Sequence, residues 1–365
     1  MLKILTVVGA RPQFIKAATV SRLVRNLANV CEVIVHTGQH FDNNMSEIFF
    51  SEMDIPSPDY NLNIASLSHG AMTGRMLEGV EKIILDEKPD WLLVYGDTNS
   101  TLAAALAASK LCVKIAHVEA GLRSYNMSMP EEQNRIITDR LSTLLFCPTI
   151  QAINNLSLEG YGEFSGEVIH SGDVMYDAAI FYRERAKKPI WFDALTDLSE
   201  FALATIHRGE NTDDPNRITQ IISALNEIHK TTPVILPLHP RTKNIVKAMN
   251  LTLDMHVVEP VGYLEMVYLL ENCKFVLSDS GGVQKESYFF RKQCFVLRDD
   301  TEWIELVDHG FNKLVGADFH KIVSATINTS TDIDFYKQFY GAGNAAELII
   351  STLVGHKLSL DKGGE

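Results

Sequence analysis

The sequence predicts an α/β protein of two domains, each built on an open parallel sheet, and three observations carry that prediction. Short β-branched runs alternate with amphipathic stretches whose apolar residues recur every three or four positions. Nearly every run stops at a cluster of Gly, Asp, His, Arg or Ser, as in ILTVVGARP, VIVHTGQH, LLVYGDTNS, IAHVEAGLR, ALATIHRGEN, VILPLHPR and FVLRDDTEW. That puts polar chemistry at the carboxyl edges of parallel strands, where open α/β sheets bind ligands. The alternation lapses and then restarts, and 365 residues exceed one ordinary α/β core but suit two.

In the first series the strands are Leu2 to Val8, Val33 to His36, Trp91 to Tyr95, Lys114 to Val118 and Leu144 to Cys147, each short and rich in β-branched or aromatic residues. Helical spacing fills the gaps at Gln13 to Asn26, Ser68 to Glu87, Ser100 to Ser109 and Pro130 to Ser142. Right-handed crossovers then stack the strands in parallel. The second series runs through Phe201 to Ile206, Val234 to Leu238, His256 to Val258, Phe275 to Leu277, Cys294 to Leu297 and Lys313 to Val315, with a helix at Pro215 to His229. The charged, aromatic-rich stretch from Val168 to Glu200 separates the two. The expected division is 1–167, 168–340 and a helical tail over 341–365 that packs on either domain, including back on the first.

Composition narrows the function. Hydrophobic residues make up 46% and charged residues 22% of the chain, as in a soluble globular protein. With 33 basic against 46 acidic residues, the net charge of -13 argues against nucleic acid as a partner, so any phosphate site is local. The five cysteines, Cys31, Cys112, Cys147, Cys273 and Cys294, are scattered without a C-x-x-C pair and read as buried, reduced thiols of a cytoplasmic protein. The opening MLKILTVVGARP is too soon interrupted for a signal peptide, and no run approaches the ~20 apolar residues of a membrane span.

Neither half carries G-x-G-x-x-G after its first strand, and G-x-x-x-x-G-K-[ST], H-E-x-x-H and zinc-spaced Cys/His sets are missing from the sequence. No nicotinamide cofactor and no metal are expected. What the sequence offers instead is FVLSDSGGVQKE. A strand gives way to Ser280, Gly281 and Gly282 and then to a helix, presenting free N–H groups suited to a pyrophosphate, with Glu286 further along placed for ribose hydroxyls. A helix N-cap with a tight glycine turn is the plainer alternative. Arg11 and Lys16 follow the first strand in VVGARPQFIKA, where a cation at a helix start again suits phosphate, unless Arg11 is a surface charge before a first-turn proline. Asp97, Glu119 and Glu131 stand at strand ends or a helix start, and three converging carboxylates suit proton transfer, although each alone could be a cap. His207, beside Arg208, and His239 follow adjacent strands of the second series. His207 suits a developing phosphate charge, against the plainer reading of a structural histidine.

Taken in order, GARPQFIKA, HTGQHFD, YGDTNST, HVEAGLRS, MPEEQNR, IHRGEN, PLHPR, SDSGGVQKE and LRDDTE resemble the non-hydrolysing UDP-N-acetylglucosamine 2-epimerase family across nearly the whole chain. RPQFIK and RDDTEW stand where plain members of the family read RPEAIK and RDTTERPE. Gln13, HFDNNM, SYNMSMPEEQNR and Trp303 resemble the branch acting on UDP-2,3-diacetamido-2,3-dideoxyglucuronate. The resemblance implies the GT-B arrangement, two Rossmann-like domains with a ligand cleft between them, a UDP-sugar substrate and a homodimer.

C2–H of an acetamido sugar has no neighbouring carbonyl in the ring and must be activated. Expelling UDP from C1 while a base takes the C2 proton needs only carboxylates and phosphate clamps, and the resemblance implies that route through a 2-acetamidoglycal. It casts Asp97, Glu119 and Glu131 as acid/base candidates and His207 as the group assisting the β-phosphate. Arg11, Lys16, His239, Ser280, Gly281, Gly282 and Glu286 would hold UDP, and Arg298, Thr301 and Glu302 would line the sugar end. A uronate needs a further cation, from Arg123, Lys285 or Arg298. A GT-B glycosyltransferase and a non-catalytic nucleotide-sugar sensor are the rival readings.

Overall fold

The computed structural model of the chain describes residues 1–39, 54, 57–163, 166–195, 198, 200–327, 333–335 and 337–362. Of the sequence features above, His40 and the HFDNNM stretch lie outside the described residues. The chain forms two compact units, Met1–Ala178 with Gln338–Glu365, and Ala179–Lys337.

The first unit holds β1 (Leu2–Val8), α1 (Arg11–Val24), β2 (Val30–His36), β3 (Tyr60–Asn61), α2 (His69–Glu87), β4 (Trp91–Tyr95), α3 (Asn99–Lys110), β5 (Lys114–Val118), α4 (Pro130–Leu141), β6 (Leu144–Cys147), α5 (Ile150–Leu158) and β7 (Glu167–His170). Helix α6 (Val174–Arg183) carries the chain over into the second unit. The seven strands run in the order β3-β2-β1-β4-β5-β6-β7, and every pairing is parallel. Because β1 and β4 are covered on both faces, Leu5, Val7, Leu92 and Val94 are all fully buried, which is why these strands read as unbroken apolar runs. Helix α3 is rich in alanine, and its small buried side chains let it lie close against this core.

In the second unit follow β8 (Ala202–Thr205), α7 (Gly209–Thr212), α8 (Pro215–His229), β9 (Val234–Pro237), α9 (Pro240–Ala248), β10 (His256–Val258), α10 (Tyr263–Asn272), β11 (Phe275–Ser278), α11 (Gly281–Phe289), β12 (Cys294–Val296), α12 (Ile304–Asp308), β13 (Asn312–Leu314) and α13 (Phe319–Ile327). Its sheet is parallel in the order β10-β9-β8-β11-β12-β13. Helix α8 shows how sequence builds this core. Asp214 caps it by accepting from the amides of Asn216 and Arg217, Pro215 takes the first turn, and Ile218, Ile221, Ile222, Leu225 and Ile228 form its buried stripe.

The expected boundary at Val168 is corrected. Glu167–His170 pairs with β6 as the last strand of the first sheet, and the division falls at Ala178/Ala179. The chain also returns, since Gln338 onward, including α14 (Ala345–Lys362), belongs to the first unit. Of the cysteines expected to be buried, Cys147, Cys273 and Cys294 are, Cys31 is half-buried and Cys112 is exposed in the turn after α3. Among the described residues no helix is long and apolar enough to cross a membrane, and no group of three or more His, Cys, Asp or Glu side chains is arranged to hold a metal ion.

Candidate active site

In each sheet the strand order reverses once, between β1 and β4 in the first and between β8 and β11 in the second. The loops leaving those strands diverge there and open a crevice at the carboxyl edge. The chemistry-bearing residues gather at these two points.

In the first unit, Gln13 ties the two loops together. Its Nε2 donates to the Tyr95 carbonyl at 2.8 Å and to Thr101 Oγ1 at 2.9 Å, while its Oε1 accepts from the amides of Gly9 and Ala10. Gly9 has to be glycine, because a Cβ would fall 2.1 Å from Ser100 Oγ and 2.2 Å from Thr37 Oγ1. Arg11 opens α1, but its side chain is not among those described. One turn further on, Lys16 forms an ion pair with Glu119, both side chains about nine-tenths enclosed. Glu119 adopts a left-handed backbone at φ 74°, which costs a non-glycine residue about 1 kcal/mol or more and recurs at functional turns. Gly96 is the floor of this pair, since a Cβ there would stand 3.2 Å from both Glu119 Oε2 and Lys16 Nζ.

Beside them Asp97 accepts from Arg135 Nη1 at 2.8 Å with its side chain one-third exposed. Burial raises the Asp97 carboxyl pKa, and the charges of Glu119 and Glu131 add to that, while Arg135 and Lys16 pull the other way. A carboxyl biased toward holding its proton, next to one paired with lysine, is the asymmetry that acid/base chemistry uses. Glu131 is exposed in the first turn of α4. Its neighbour Glu132 is buried and spent on the amides of Ser124 and Tyr125 and on Arg135. Asp97, Glu119, Glu131 and Lys16 thus share one local field. Arg135, passed over in the sequence, belongs with them; the signal was its place one turn beyond Glu131 and Glu132.

Arg123 does not join this group. Its side chain is fully enclosed and bonded to Asp139 at 2.7 Å and to Glu159 at 2.6 Å, so the expectation that it meets a substrate is corrected.

In the second unit, Asp279 directly follows β11 and is fully buried. Its carboxylate accepts from the amides of His207 and Arg208 at 3.0 to 3.1 Å and from Asn211 Nδ2 at 3.2 Å. His207 Nδ1 lies 3.2 Å from Asp279 Oδ1, with the histidine side chain 44% exposed. Burial pushes the Asp279 carboxyl up, but the hydrogen bond and charge of His207 and the amide of Arg208 outweigh it and hold the pKa below the ordinary value. Asp279 therefore orients His207 at the crevice. It was legible in SDSGG only as the residue before the glycine turn, and its partner in the loop after β8 is 72 residues away in sequence.

Next to it Ser280 caps α11, accepting from the Val283 amide at 3.5 Å. Gly281 and Gly282 open that helix without side chains of their own, an arrangement suited to an anion. A Cβ on Gly281 would fall 2.1 Å from Glu302 Oε1 and 3.8 Å from Arg208 Nη2. Glu302 accepts from Arg298 Nη1 at 2.9 Å, and Arg298 Nη2 also reaches Asp300. Thr301 Oγ1 donates to Gln284 Oε1 at 2.6 Å, and Trp303 Nε1 donates to the Gly281 carbonyl at 2.9 Å. The loop after β12 is thereby fastened to the start of α11. Glu286 is buried within α11. His239 is exposed at the N-terminus of α9, its Nδ1 accepting from the Arg241 amide at 3.3 Å. Lys285, named as a possible substrate cation, is buried with Nζ 4.4 Å from the centre of the Trp303 ring.

Two Rossmann-like units in one chain, one bearing a carboxylate cluster and the other a glycine-started helix beside an aspartate-held histidine, define a nucleotide-sugar enzyme of the GT-B class. The chain belongs to the UDP-N-acetylglucosamine 2-epimerase family, whose model matches residues 23–354. It is 56% identical over 354 residues to the UDP-2,3-diacetamido-2,3-dideoxy-D-glucuronate 2-epimerase of Pseudomonas aeruginosa, covering 96% of this chain and 99% of that one. Among solved structures it resembles the UDP-GlcNAc 2-epimerase of Methanocaldococcus jannaschii in complex with UDP-GlcNAc and UDP, at 40% identity and TM-score 0.86, covering 97% of this chain and 99% of that one. It also resembles the enzyme of Neisseria meningitidis bound to UDP-GlcNAc, at 34% identity and TM-score 0.87, covering 97% and 100%.

Proposed function

We propose that this chain inverts C2 of UDP-2,3-diacetamido-2,3-dideoxy-D-glucuronate, giving the manno epimer by loss and return of UDP. The observation that carries this reading is the 56% identity, along nearly the whole of both chains, to a relative named for that substrate, against 40% to the M. jannaschii N-acetylglucosamine enzyme. In the proposed reaction a carboxylate takes the C2 proton as the C1–O bond breaks. Its electrons leave with UDP, and a C1=C2 double bond forms. Re-addition of the β-phosphate oxygen to C1, with protonation of C2 from the opposite face, completes the inversion. Asp97, Glu119 and Glu131 are the acid/base groups. Ser280 and the amides of Gly281 and Gly282 hold the diphosphate, Glu286 the ribose, and His207, steadied by Asp279, the charge that grows on the departing β-phosphate. Arg11, Lys16 and His239 complete the nucleotide contacts, and Arg298, Thr301 and Glu302 the sugar end. We place this reaction in the cytoplasm, in a homodimer, supplying a surface polysaccharide such as O-antigen or capsule; the family resemblance supports that reading.

Incubation with each UDP-acetamido sugar in D2O, without acceptor, tests it. Expected is C2-inverted product carrying deuterium at C2, read by mass and NMR, with the glucuronate turned over in preference to UDP-N-acetylglucosamine. The reverse preference would reassign the substrate. Steady release of free UDP would indicate hydrolysis, and no C2 exchange would defeat the epimerase reading altogether. Glu119→Gln should fold and bind UDP yet turn over at least about 10²-fold more slowly, within the usual effect of losing an acid/base group; full activity would remove Glu119 from the mechanism.

A further inference from the structure

His117 lies on β5, directly below the acid cluster, and its side chain is fully enclosed. In the sequence it passes for a core histidine. Its ring, however, is held at both ends by acceptors. Nδ1 lies 2.7 Å from Asp139 Oδ1, and Nε2 lies 2.8 Å from the carbonyl oxygen of Gly96, an acceptor that is met by a proton on Nε2. Gly96 is also held from the other side, its amide donating to the Val118 carbonyl at 2.9 Å. This is the glycine on which the Lys16–Glu119 pair rests, and Asp97 follows it directly.

The other end of the ring leads to the loop that carries Glu119. Asp139 Oδ2 accepts from the Gly121 amide at 3.2 Å and from Arg123 Nη1 at 2.7 Å. Arg123 in turn grips Glu159 with Nε and Nη2, at 2.6 and 2.8 Å, and donates to the Leu122 carbonyl at 2.8 Å. The amides of Glu119 and Ala120 both donate to the Phe146 carbonyl, so the turn Glu119–Ala120–Gly121 is pinned at each end. One imidazole thus joins the Gly96–Asp97 loop, through its carbonyl, to the Glu119 turn, through Asp139. Gly96 (φ 60°) and Gly121 (φ 80°) adopt left-handed backbones that glycine takes freely, but the same conformation at Glu119 (φ 74°) persists only where surrounding bonds over-determine it, and this network supplies those bonds.

We infer that His117 is a positioning residue for the acid/base pair, fixing the distance between Asp97 and Glu119 by holding the Gly96 carbonyl while Asp139 holds Gly121. The inference rests on the epimerase reading above. Being buried, His117 reaches no substrate, and its effect belongs on turnover rather than on binding.

Two substitutions separate this role from simple support of the core. His117→Gln keeps a donor near the Nε2 position and so keeps the Gly96 bond, whereas His117→Asn keeps a donor near Nδ1, toward Asp139, and loses it. Expected is a fall in kcat of about tenfold or more for His117→Asn, with KM and UDP affinity within about threefold, and recovery of most of that kcat in His117→Gln. Unchanged kcat in folded His117→Asn, or the opposite ranking, would overturn the inference. In the unmodified protein carrying 15N-labelled histidine, the His117 signal should show a slowly exchanging proton on Nε2. A bare Nε2 would overturn the inference even where neither variant folds. If the unmodified protein turned over no UDP-acetamido sugar, the functional reading would fail, and the ring signal would still decide whether Gly96 is held.

Discussion

Asp279→Asn tests the second half of the site most sharply, because the carboxylate is fully buried and all its acceptor capacity is in use. Oδ1 meets the His207 amide and His207 Nδ1, and Oδ2 meets the Arg208 amide and Asn211 Nδ2, every distance between 3.0 and 3.2 Å. An amide of the same shape keeps one acceptor oxygen and turns an NH2 group on donors at the other end. Hydrogen bonds to a charged group contribute about 1.5–3 kcal/mol each, and a buried donor left without a partner costs about 1–3 kcal/mol. Losing one oxygen's contacts therefore destabilises by about 3 kcal/mol at neutral pH. The sign with pH follows from the depressed Asp279 pKa. Its contribution is present above the ordinary carboxyl range and is lost as pH falls through the folded value, so the gap between variant and parent narrows on acidification. In catalysis, His207 loses the partner that orients its ring toward the leaving phosphate, and kcat falls about 10²-fold, equivalent to ~2.7 kcal/mol of transition-state stabilisation. UDP affinity stays within about threefold because the amides of α11 are untouched. Urea melts at several pH values, calorimetric UDP titration and C2 deuterium exchange measure all three. Parental kcat in a folded Asp279→Asn protein would refute the role assigned to the Asp279–His207 pair.

Gly281→Ala should leave stability within about 1 kcal/mol, because the new methyl meets only the flexible end of Glu302, but should weaken UDP binding roughly tenfold or more by covering the start of α11 and displacing Glu302 from Arg298; calorimetry showing unchanged affinity would move the diphosphate elsewhere. Burial pushes the Asp177 carboxyl up to about 6 against the pull of the Ala346 and Ala345 amides. A carboxyl whose folded value exceeds its unfolded value contributes stability that is full below about pH 4 and is lost as pH rises through 6, here at most about 3 kcal/mol. The difference in unfolding free energy between the parent and Asp177→Asn should follow that window, and a flat difference from pH 4 to 7 would refute it.

What the sequence disclosed, and what it withheld, follows from how far apart the interacting residues lie along the chain. Strands β1, β4, β5 and β6 were readable to the residue because both their faces are buried and each ends at a polar loop. Strand β7 was not, since it lies at the sheet edge with its four residues exposed or only half-buried, and two-residue β3 at the opposite edge was shorter still. Ser280 to Gly282 stood out because a glycine-started helix after a strand is a local signal. Asp279 and His117 did not, because each acts through a partner that the sheet brings from 72 and 22 residues away. Arg123 misled for the converse reason. An arginine after a glycine turn looks solvated until Glu159, 36 residues on, folds over it.

The first unit is closed by a stretch of chain that comes after the whole of the second. The opening amides of α14 donate to Asp177, Lys357 reaches Asp90 at 2.6 Å, and His356 packs edge-on to Trp91 at 5.8 Å. During synthesis, then, the segment Ala179–Lys337 emerges whole and can acquire its tertiary packing while the acid-bearing half still waits for its closing helix. A stop codon placed before α14 would spare the Ala179–Lys337 unit and cripple its older neighbour.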